Sequence, residues 1–453
     1  MRTRRAGPRP ARHLPRLNGA VAVALIAAAP FALPAGQAQA ETLSASADVN
    51  GREVAAFYAS RQQRPLWLQG GQLSPAGHEL VRLLNSADVD RLDSRSYMTS
   101  ALMRALGGAA RGDRRAIVRA EQLLSEAFVA YARDLRRAPY AGMTYVDAAL
   151  RPAAPAPRAL LGEAAAAPSL TEYVQNMGWM NPLYAPLRRA LSTNNFADSR
   201  ERTLLQLNLE RARALPASKG RFVLVNAAAQ KLFMYENGQV VDSMRVVVGK
   251  PKYATPMMTA LIKFASLNPY WNVPPDLAAE RIAPGVVKEG IRHLTARGYQ
   301  VLSSWEEDAH VIDPTTVDWQ AVADGRVEVR VRQLPGPGNA MGQMKFMFPN
   351  QFGVYLHDTP EKELLSEASR LYSGGCVRLE DAPRLARWLF GQDLRASSDQ
   401  PELPVPLPGP VPVAITYLTA VPSGSSIVYF EDIYGRDAQR MAQLGGGALA
   451  ASW

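Results

Sequence analysis

Apolar side chains recur at three- and four-residue steps through much of the chain between residues 41 and 217, which is the spacing of an amphipathic helix. One such stripe contains Ile117, Leu124 and Phe128, and it follows Asp113, which we expect to cap the helix. The pattern therefore predicts a helical domain over residues 41–217 whose stripes pack into a core.

Two further helices and one long loop are predicted in the same domain. A short helix is expected to begin at Pro75, and a longer one is expected over Glu201 to Leu215. The interval from Arg151 to Pro168 is rich in proline and alanine, and we interpret it as a loop between helices. No candidate chemistry stands out in this region, so a reactive site is expected elsewhere.

The hydrophobic pattern changes near Gly220 to the two-residue alternation that is typical of strands. The predicted strands are Phe222–Asn226, Lys231–Tyr235, Val240–Val248, Thr259–Leu267, Val411–Ala420 and Ser426–Asp432. Asn237-Gly238 predicts a hairpin, because both residues tolerate a left-handed backbone. The stretch 275–338 mixes a helix, turns and short strands, and residues 437–453 are expected to form a flexible tail. The prediction is an α+β fold, with a mainly antiparallel β domain over residues 218–436.

The first forty residues resemble an export signal. Six arginines precede an apolar run from Gly19 to Leu33, and Ala38-Gln39-Ala40 supplies the small residues that a signal peptidase accepts. The alternative is an N-terminal membrane anchor, but the run contains prolines and is short for a span. These arginines account for more than half of the formal net charge of +10, so the basic composition does not argue for nucleic-acid binding.

The chain has a single cysteine, Cys376, so an internal disulfide is excluded. His357, one of five histidines, lies nineteen residues upstream. A thiol with a nearby imidazole is the arrangement of a cysteine nucleophile and its general base, and such a pairing is expected to lower the thiol pKa. The alternative is a buried core cysteine, but Gly374-Gly375 before it offers no side chains to bury the sulfur.

Neighbouring residues supply the other parts that acyl transfer needs. The N–H groups of Gly375 and Cys376 are candidates for an oxyanion hole, and Ser373 is expected to orient the turn or to contact substrate. Arg378 could favour the thiolate or bind a substrate carboxylate, although from its position it could equally be a surface residue. A helix capped by Asp381 is expected to follow directly, which would put the thiol just before a helix N-terminus.

Two segments together, His357-Asp358-Thr359-Pro360 and Ser373-Gly374-Gly375-Cys376-Val377-Arg378, resemble the L,D-transpeptidase catalytic domain, the YkuD family. The turn from Gly249-Lys250 to Thr255-Pro256 is similar to an early turn of that family. The segment from Asn268 to Pro274, which contains Trp271, is similar to the one that leads into the active-site cleft. One departure is Gly374, because many members have a histidine there.

The later segments from Arg332 to Asn339 and from Lys345 to Asn350 are similar to the large YcbB-type branch of the family. This resemblance implies an N-terminal scaffold domain, a YkuD-like β-sandwich and a capping insertion, which we assign to residues 275–338. It also implies Cys376 as nucleophile and His357 as base. Tyr355, two residues before His357, would face the same side and could contribute its hydroxyl. Trp271 would contact substrate.

The resemblance implies acyl transfer on peptidoglycan stem peptides. The expected activity is that of a cysteine acyltransferase forming 3→3 cross-links from tetrapeptide donors, in the periplasm, with no metal or organic cofactor and with carbapenems as acylating inhibitors. An L,D-carboxypeptidase or an amidase using the same thioester is the alternative, since only the acceptor differs. A non-catalytic cell-wall scaffold protein is a further alternative. Envelope proteins could bind the scaffold domain.

Overall fold

The computed structural model describes residues 49–137, 141–193, 196–217, 220–424 and 426–446. The predicted export signal over residues 1–40 and the last part of the predicted tail, residues 447–453, lie outside the described residues. Within these ranges, no helix combines the length and the apolar character that crossing a bilayer requires.

The first half of the described chain is helical. Its helices are α1 (49–60), α2 (Pro75–Asn85), α3 (Ser100–Ala110), α4 (Arg114–Leu135), α5 (Pro157–Ala166), α6 (Leu170–Gln175), α7 (Tyr184–Ser192) and α8 (Ser199–Arg213). The predicted cap is confirmed, because the carboxylate of Asp113 accepts hydrogen bonds from the N–H groups of Arg115 and Ala116. The predicted loop from Arg151 to Pro168 is wrong: it contains α5, because proline suits the first turn of a helix and the alanines that follow favour helix.

The helical domain buries two carboxylates, and each is surrounded by donors. Asp90 accepts hydrogen bonds from the hydroxyls of Tyr131 and Tyr184, both at 2.7 Å, and from Nε of Arg188 at 2.9 Å. Asp90 is only 3% exposed. Such groups are tolerated in a core because every lone pair has a partner.

Glu121 on α4 is the second buried carboxylate. It accepts the backbone N–H groups of Leu66, Trp67 and Leu68 at 2.6–3.2 Å, and the hydroxyl of Tyr58 at 2.6 Å. Glu121 therefore ties α4 to the chain entering the short hairpin of β1 (Leu68–Gln69) and β2 (Gln72–Leu73).

The second half is rich in strands. After β3 (Thr144–Tyr145), they are β4 (Phe222–Asn226), β5 (Lys231–Glu236), β6 (Gln239–Gly249), β7 (Met258–Leu267), β8 (Trp271–Val273), β9 (Tyr299–Leu302), β10 (Val311–Ile312), β11 (Arg330–Gln333), β12 (Met344–Met347), β13 (Leu356–His357), β14 (Leu371–Ser373), β15 (Val377–Leu379), β16 (Leu403–Thr416), β17 (Ala420–Ser423) and β18 (Ser426–Tyr429). Its α-helices are α9 (Pro275–Leu277), α10 (Ala283–Glu289), α11 (Arg292–Thr295), α12 (Trp319–Ala323), α13 (Ala382–Phe390) and α14 (Arg436–Gly446). The α+β class is confirmed.

Most of these strands belong to one large sheet that closes on itself. The order is β12-β13-β15-β6-β5-β4-β16-β7, and β7 pairs again with β12. Two pairings in this ring are parallel, β13 with β15 and β4 with β16. The ring surrounds an apolar core, which also packs against α13. The predicted hairpin is confirmed, because Asn237 and Gly238 both adopt positive φ between β5 and β6.

The last strands differ from the prediction. β16 begins at Leu403, well before the predicted start, because β7 pairs with it on both sides of an irregularity between Pro406 and Val411. The chain then leaves the sheet, and β17 and β18 form a separate hairpin instead of closing the domain. This hairpin contacts α7 and α8, and the hydroxyl of Tyr429 donates to Glu201 at 2.6 Å.

The segment between β7 and β12 forms a small unit of its own. β8 to β11 build a four-stranded sheet, and α9, a π-helical turn (Ala278–Ile282), α10, α11 and α12 accompany it. Val273, Leu294, Val301, Trp319 and Val331 are among its buried residues, which form a core distinct from that of the ring. We call residues 271–333 the cap. It includes β8, which precedes the predicted start of the insertion.

The C-terminal segment is ordered against both halves of the molecule. Residues 436–446 form α14, so the expected flexible tail is helical in its described part, with Asp437 buried. Asp437 forms an ion pair with Arg211 of α8 at 2.5 Å, and the rings of Tyr417 and Tyr434 stack at 5.4 Å. The guanidinium of Arg436 lies over both rings. These contacts join α8, the ring and α14.

Candidate active site

The register of three strands gathers the candidate catalytic residues on one face. β13 lies between β12 and β15, with His357 opposite Lys345 on one side and Arg378 on the other. Residues paired across strands point to the same face, and so do residues two apart on one strand. Cys376, two residues before Arg378, and Tyr355, two residues before His357, are therefore brought to the same side.

The turn that leads to Cys376 is braced by Ser373. The hydroxyl of Ser373 donates to the carbonyl of Cys376 at 2.6 Å and accepts the N–H of Gly375 at 3.1 Å. Gly375 has φ of +115°, which a residue with a side chain rarely adopts. The predicted helix with Asp381 as its cap is confirmed as α13, but β15 lies between it and Cys376. The thiol is therefore not next to the helix N-terminus, because residues 377–379 pair with β6 and β13.

His357 is held in one orientation. It is 2% exposed, and its Nδ1 lies 2.6 Å from the carbonyl oxygen of Asp358. A carbonyl can only accept, so Nδ1 carries the hydrogen and Nε2 of the neutral ring has a free lone pair. Burial, together with the charge of Arg378, lowers the pKa of His357 to about 3. The ring is neutral at physiological pH, as a general base must be.

The thiol of Cys376 lies within the same cleft, and its residue is half-buried. Its Sγ is 3.6 Å from the carbonyl oxygen of Gly353. Burial raises the pKa of the thiol, while a backbone hydrogen bond from Tyr355 and the charges of Arg378 and Lys345 act in the opposite direction. The expectation of a lowered thiol pKa is thus wrong, since burial outweighs the cations. The resting pair is a neutral thiol and a neutral imidazole.

Two buried cations stand beside the pair. Arg378 is only 8% exposed, so it is not a surface residue, and it forms an ion pair with Glu361. Lys345 is paired with Glu402 at 2.8 Å and lies over the ring of Tyr355. Burial, with a smaller contribution from the charge of Glu402, raises the pKa of Tyr355, so its hydroxyl stays protonated. Each of the two cations beside the thiol and the imidazole is therefore offset by a carboxylate.

A cavity of about 140 Å³ opens over these residues, and Tyr270, Trp271, Leu277, Arg281 and Phe352 line it with the catalytic face. A second cavity, of about 650 Å³, adjoins it under the cap and shares Trp271, Arg281 and Arg378. Trp271 therefore borders both spaces, in agreement with a substrate contact. Among the described residues, no group of three or more His, Cys, Asp and Glu side chains could hold a metal ion.

The surroundings of Gly374 explain why this position does not hold the histidine that many members of the resembled family have. A Cβ at this position would lie 2.7 Å from Cδ1 of Leu277, which belongs to the cap. A larger side chain has no room unless Leu277 moves. The cap thus occupies the space that a side chain at position 374 would need.

Sequence reasoning assigned no role to Lys345, Leu277 or Phe352. Lys345 carried a signal, because it is a charged residue between the buried apolar residues Met344 and Phe346. Leu277 and Phe352 carried none, because their place beside the thiol depends on how the cap and a loop fold back over the ring.

Comparison with known proteins agrees with this organisation. The family model for the L,D-transpeptidase catalytic domain matches residues 220–405, and the model for the Scaffold domain matches residues 52–191. A Haemophilus influenzae protein named "Putative L,D-transpeptidase" is 27% identical over 401 residues, covering 85% of this chain and 78% of that protein.

Solved structures similar to this chain include an L,D-transpeptidase from Mycobacterium smegmatis, with 14% identity and a TM-score of 0.22, and Bdellovibrio bacteriovorus Bd1075, with 12% identity and a TM-score of 0.18. They match 43% and 51% of this chain. This chain spans 58% and 57% of theirs.

Proposed function

Because this chain carries an L,D-transpeptidase catalytic domain behind a scaffold domain, we propose that it cross-links peptidoglycan stem peptides through an acyl-enzyme on Cys376. The observation that supports this most directly is the pairing of a lone thiol with an imidazole whose Nε2 is free, on one face of the ring and below a cavity. The donor in this proposal is a tetrapeptide stem, and the product is a 3→3 cross-link.

The first half-reaction breaks the bond between the third residue of the stem and its terminal D-alanine. The thiol gives its proton to Nε2 of His357 as Sγ bonds to the carbonyl carbon, and the carbonyl electron pair moves onto oxygen. When this oxyanion reforms the carbonyl, the C–N bond breaks. The departing amine takes the proton from His357, and D-alanine leaves.

The second half-reaction restores the enzyme. The side-chain amine of another stem attacks the thioester, a new C–N bond forms, and the C–S bond breaks. His357 accepts the proton of the attacking amine and returns one to the sulfur. If water attacks instead, the product is a shortened stem, and the enzyme is an L,D-carboxypeptidase.

The charges of the adjoining cavity suit such a substrate. Arg281, Arg297 and Arg378 line it together with Glu361, and stem peptides carry carboxylates that guanidinium groups bind well.

We further propose that residues 1–40 direct export to the periplasm, that carbapenems acylate Cys376, and that envelope proteins bind the scaffold domain.

The test uses the mature protein and its Cys376→Ala and Cys376→Ser variants with a disaccharide-tetrapeptide, and products are measured by mass spectrometry. We expect dimers and free D-alanine from the wild type, and a rate lower by about 10⁴-fold or more in both variants, because the nucleophile is lost. Melting temperatures should change little, since the thiol makes only weak sulfur hydrogen bonds, to the carbonyl of Gly353 and from the backbone of Tyr355.

Other products separate the alternatives. Tripeptide without dimers would identify the carboxypeptidase, and release of a wall-linked protein would identify the amidase. Wild type and Cys376→Ala giving the same products would contradict a cysteine enzyme. A carbapenem adduct on Cys376→Ala, seen by intact mass, would contradict the assignment of the nucleophile.

A further inference from the structure

Thr255 holds the carbonyl that precedes the nucleophile. It is fully buried in the turn between β6 and β7. Its hydroxyl donates to the carbonyl oxygen of Gly375 at 2.9 Å and accepts the N–H of Gly249 at 2.9 Å. The turn is too tight for a side chain at position 249, where a Cβ would lie 1.9 Å from the carbonyl oxygen of Tyr253. The hydroxyl is thus fixed at both ends.

The direction of this carbonyl decides where the next N–H points. The peptide bond between Gly375 and Cys376 is planar and trans, so its C=O and N–H point in opposite directions. The C=O points inward to Thr255. The N–H of Cys376 therefore points away from Thr255, and it has no hydrogen-bond acceptor among the described residues. The N–H of Gly375, by contrast, is engaged by Ser373.

We propose that Thr255 is a positioning residue that aims the N–H of Cys376 at the oxyanion formed on the acyl carbon. This inference rests on the proposed function, because it assumes an acyl transfer at Cys376. It identifies the Cys376 N–H, rather than that of Gly375, as the donor from this turn. Thr255 never touches the substrate, and it acts by preventing rotation of one peptide unit.

Thr255 is itself anchored by the C-terminal segment. Arg436 donates to its carbonyl at 2.9 Å, and its N–H lies 3.4 Å from the hydroxyl of Tyr434, which donates to Gly249 at 2.8 Å. Asp437, the residue after Arg436, forms the ion pair with Arg211 of α8. A continuous set of contacts therefore runs from the last helix before the ring to the peptide unit at the nucleophile.

The role is tested with two reagents that use the same thiol but different transition states. In acylation by 4-nitrophenyl acetate, the thiol proton passes to His357 as Sγ bonds to the ester carbon and the carbonyl electron pair moves onto oxygen. That pair re-forms the carbonyl as the C–O bond breaks and 4-nitrophenolate leaves. In alkylation by iodoacetamide, Sγ displaces iodide from a saturated carbon, and no oxyanion forms. A fixed oxyanion donor accelerates the first reaction alone.

The variants are Thr255→Val, which removes the hydroxyl, and Thr255→Ser, which keeps it. Thr259→Val is the matched control, because Thr259 is equally buried and its hydroxyl has no hydrogen-bond partner among the described residues. We expect Thr255→Val to slow acylation about 10- to 100-fold. Deleting an oxyanion donor outright typically costs about 10²- to 10³-fold, and here the donor N–H is kept but is no longer held in place. Alkylation should be unchanged, and Thr255→Ser and Thr259→Val should follow the wild type in both reactions.

Tyr434→Phe provides a second route if Thr255→Val folds poorly, as melting temperature would reveal. It removes one anchor of the turn, and we expect a smaller loss, again in acylation alone. Acylation at the wild-type rate in both Thr255→Val and Tyr434→Phe would overturn the proposal, and so would an equal fall of acylation and alkylation. Neither reagent is a stem peptide, so a failure of the proposed function would appear only with the disaccharide-tetrapeptide.

Discussion

The helical domain and the ring both bury ionisable groups, but they treat them in opposite ways. In the helical domain, the carboxylates of Asp90 and Glu121 are surrounded by hydroxyl, guanidinium and backbone donors. Among the described residues, the imidazole of His357 in the ring has one hydrogen-bond partner, at Nδ1, and the thiol of Cys376 makes only weak contacts with the backbone of Gly353 and Tyr355. Within the described residues, Nε2 of His357 and the N–H of Cys376 are left without partners.

The difference shows how to separate a structural polar cluster from a reactive one. A saturated cluster has already made the interactions that it can make, so it stabilises the fold and has nothing to offer a ligand. An unsaturated cluster next to a cavity can make its remaining hydrogen bonds only when a substrate arrives. Burial alone does not distinguish them, because Asp90 and His357 are almost equally inaccessible.

The largest expected effect on the free energy of unfolding comes from removing one of the fully hydrogen-bonded carboxylates of the helical domain. Asp90→Ala should lower the free energy of unfolding by about 3–5 kcal/mol, because it leaves Arg188 buried without its partner. Acyl transfer per folded molecule should be unchanged. Urea unfolding measures the first quantity and initial rates measure the second. Asp88→Ala is the control and should cost little, because Asp88 is exposed on the same short 3₁₀ helix (Ala87–Asp90) that carries Asp90. A specific loss of activity in Asp90→Ala would break the contrast.

The unsaturated site predicts a dependence of stability on pH. The folded-state pKa of His357, about 3, lies below its unfolded value of about 6.5, so the fold favours the neutral ring. The contribution of the neutral His357 ring to the free energy of unfolding is fully present above pH 6.5. It is lost as the pH falls towards 3, because the unfolded chain binds a proton that the folded protein does not. When the pH falls from 7 to 4, the free energy of unfolding of His357→Gln should rise by about 3 kcal/mol relative to that of the wild type.

Urea midpoints at the two pH values measure this gain. His78→Gln, at an exposed position of α2, is the matched control for replacing a histidine by glutamine. Parallel curves for His357→Gln and the wild type would show that the imidazole is not held neutral by the fold.

The smallest expected effect concerns the contact between the cap and the turn that leads to Cys376. Gly374→Ala should lower the free energy of unfolding by about 1 kcal/mol, because the new methyl group meets Leu277. Adding Leu277→Ala should relieve that cost, so a double-mutant cycle should give a coupling of about the same size. Gly162→Ala, in α5 and free of close contacts, should be neutral or slightly stabilising. Additive effects would mean that the cap does not press on residue 374.

Local patterns predicted what local forces decide. β4, the Asn237-Gly238 hairpin and the helix after Asp113 follow from alternation, turn preference and capping, so they were predictable. α5 was missed because its flanking prolines outweighed its alanines in the interpretation of the segment. The raised thiol pKa and the role of Thr255 could not be predicted, because they depend on strand pairings and turns that join distant parts of the chain.

The closed ring has a consequence for how these molecules behave next to one another. An open sheet ends in strands whose free N–H and C=O groups can recruit a strand from another chain, and this is a common start of aggregation. His357 lies on β13, and Cys376 directly precedes β15. Each of these two strands is paired with a neighbouring strand on both sides. The backbone that presents the catalytic pair therefore offers no open edge to a second molecule, even where the protein is crowded.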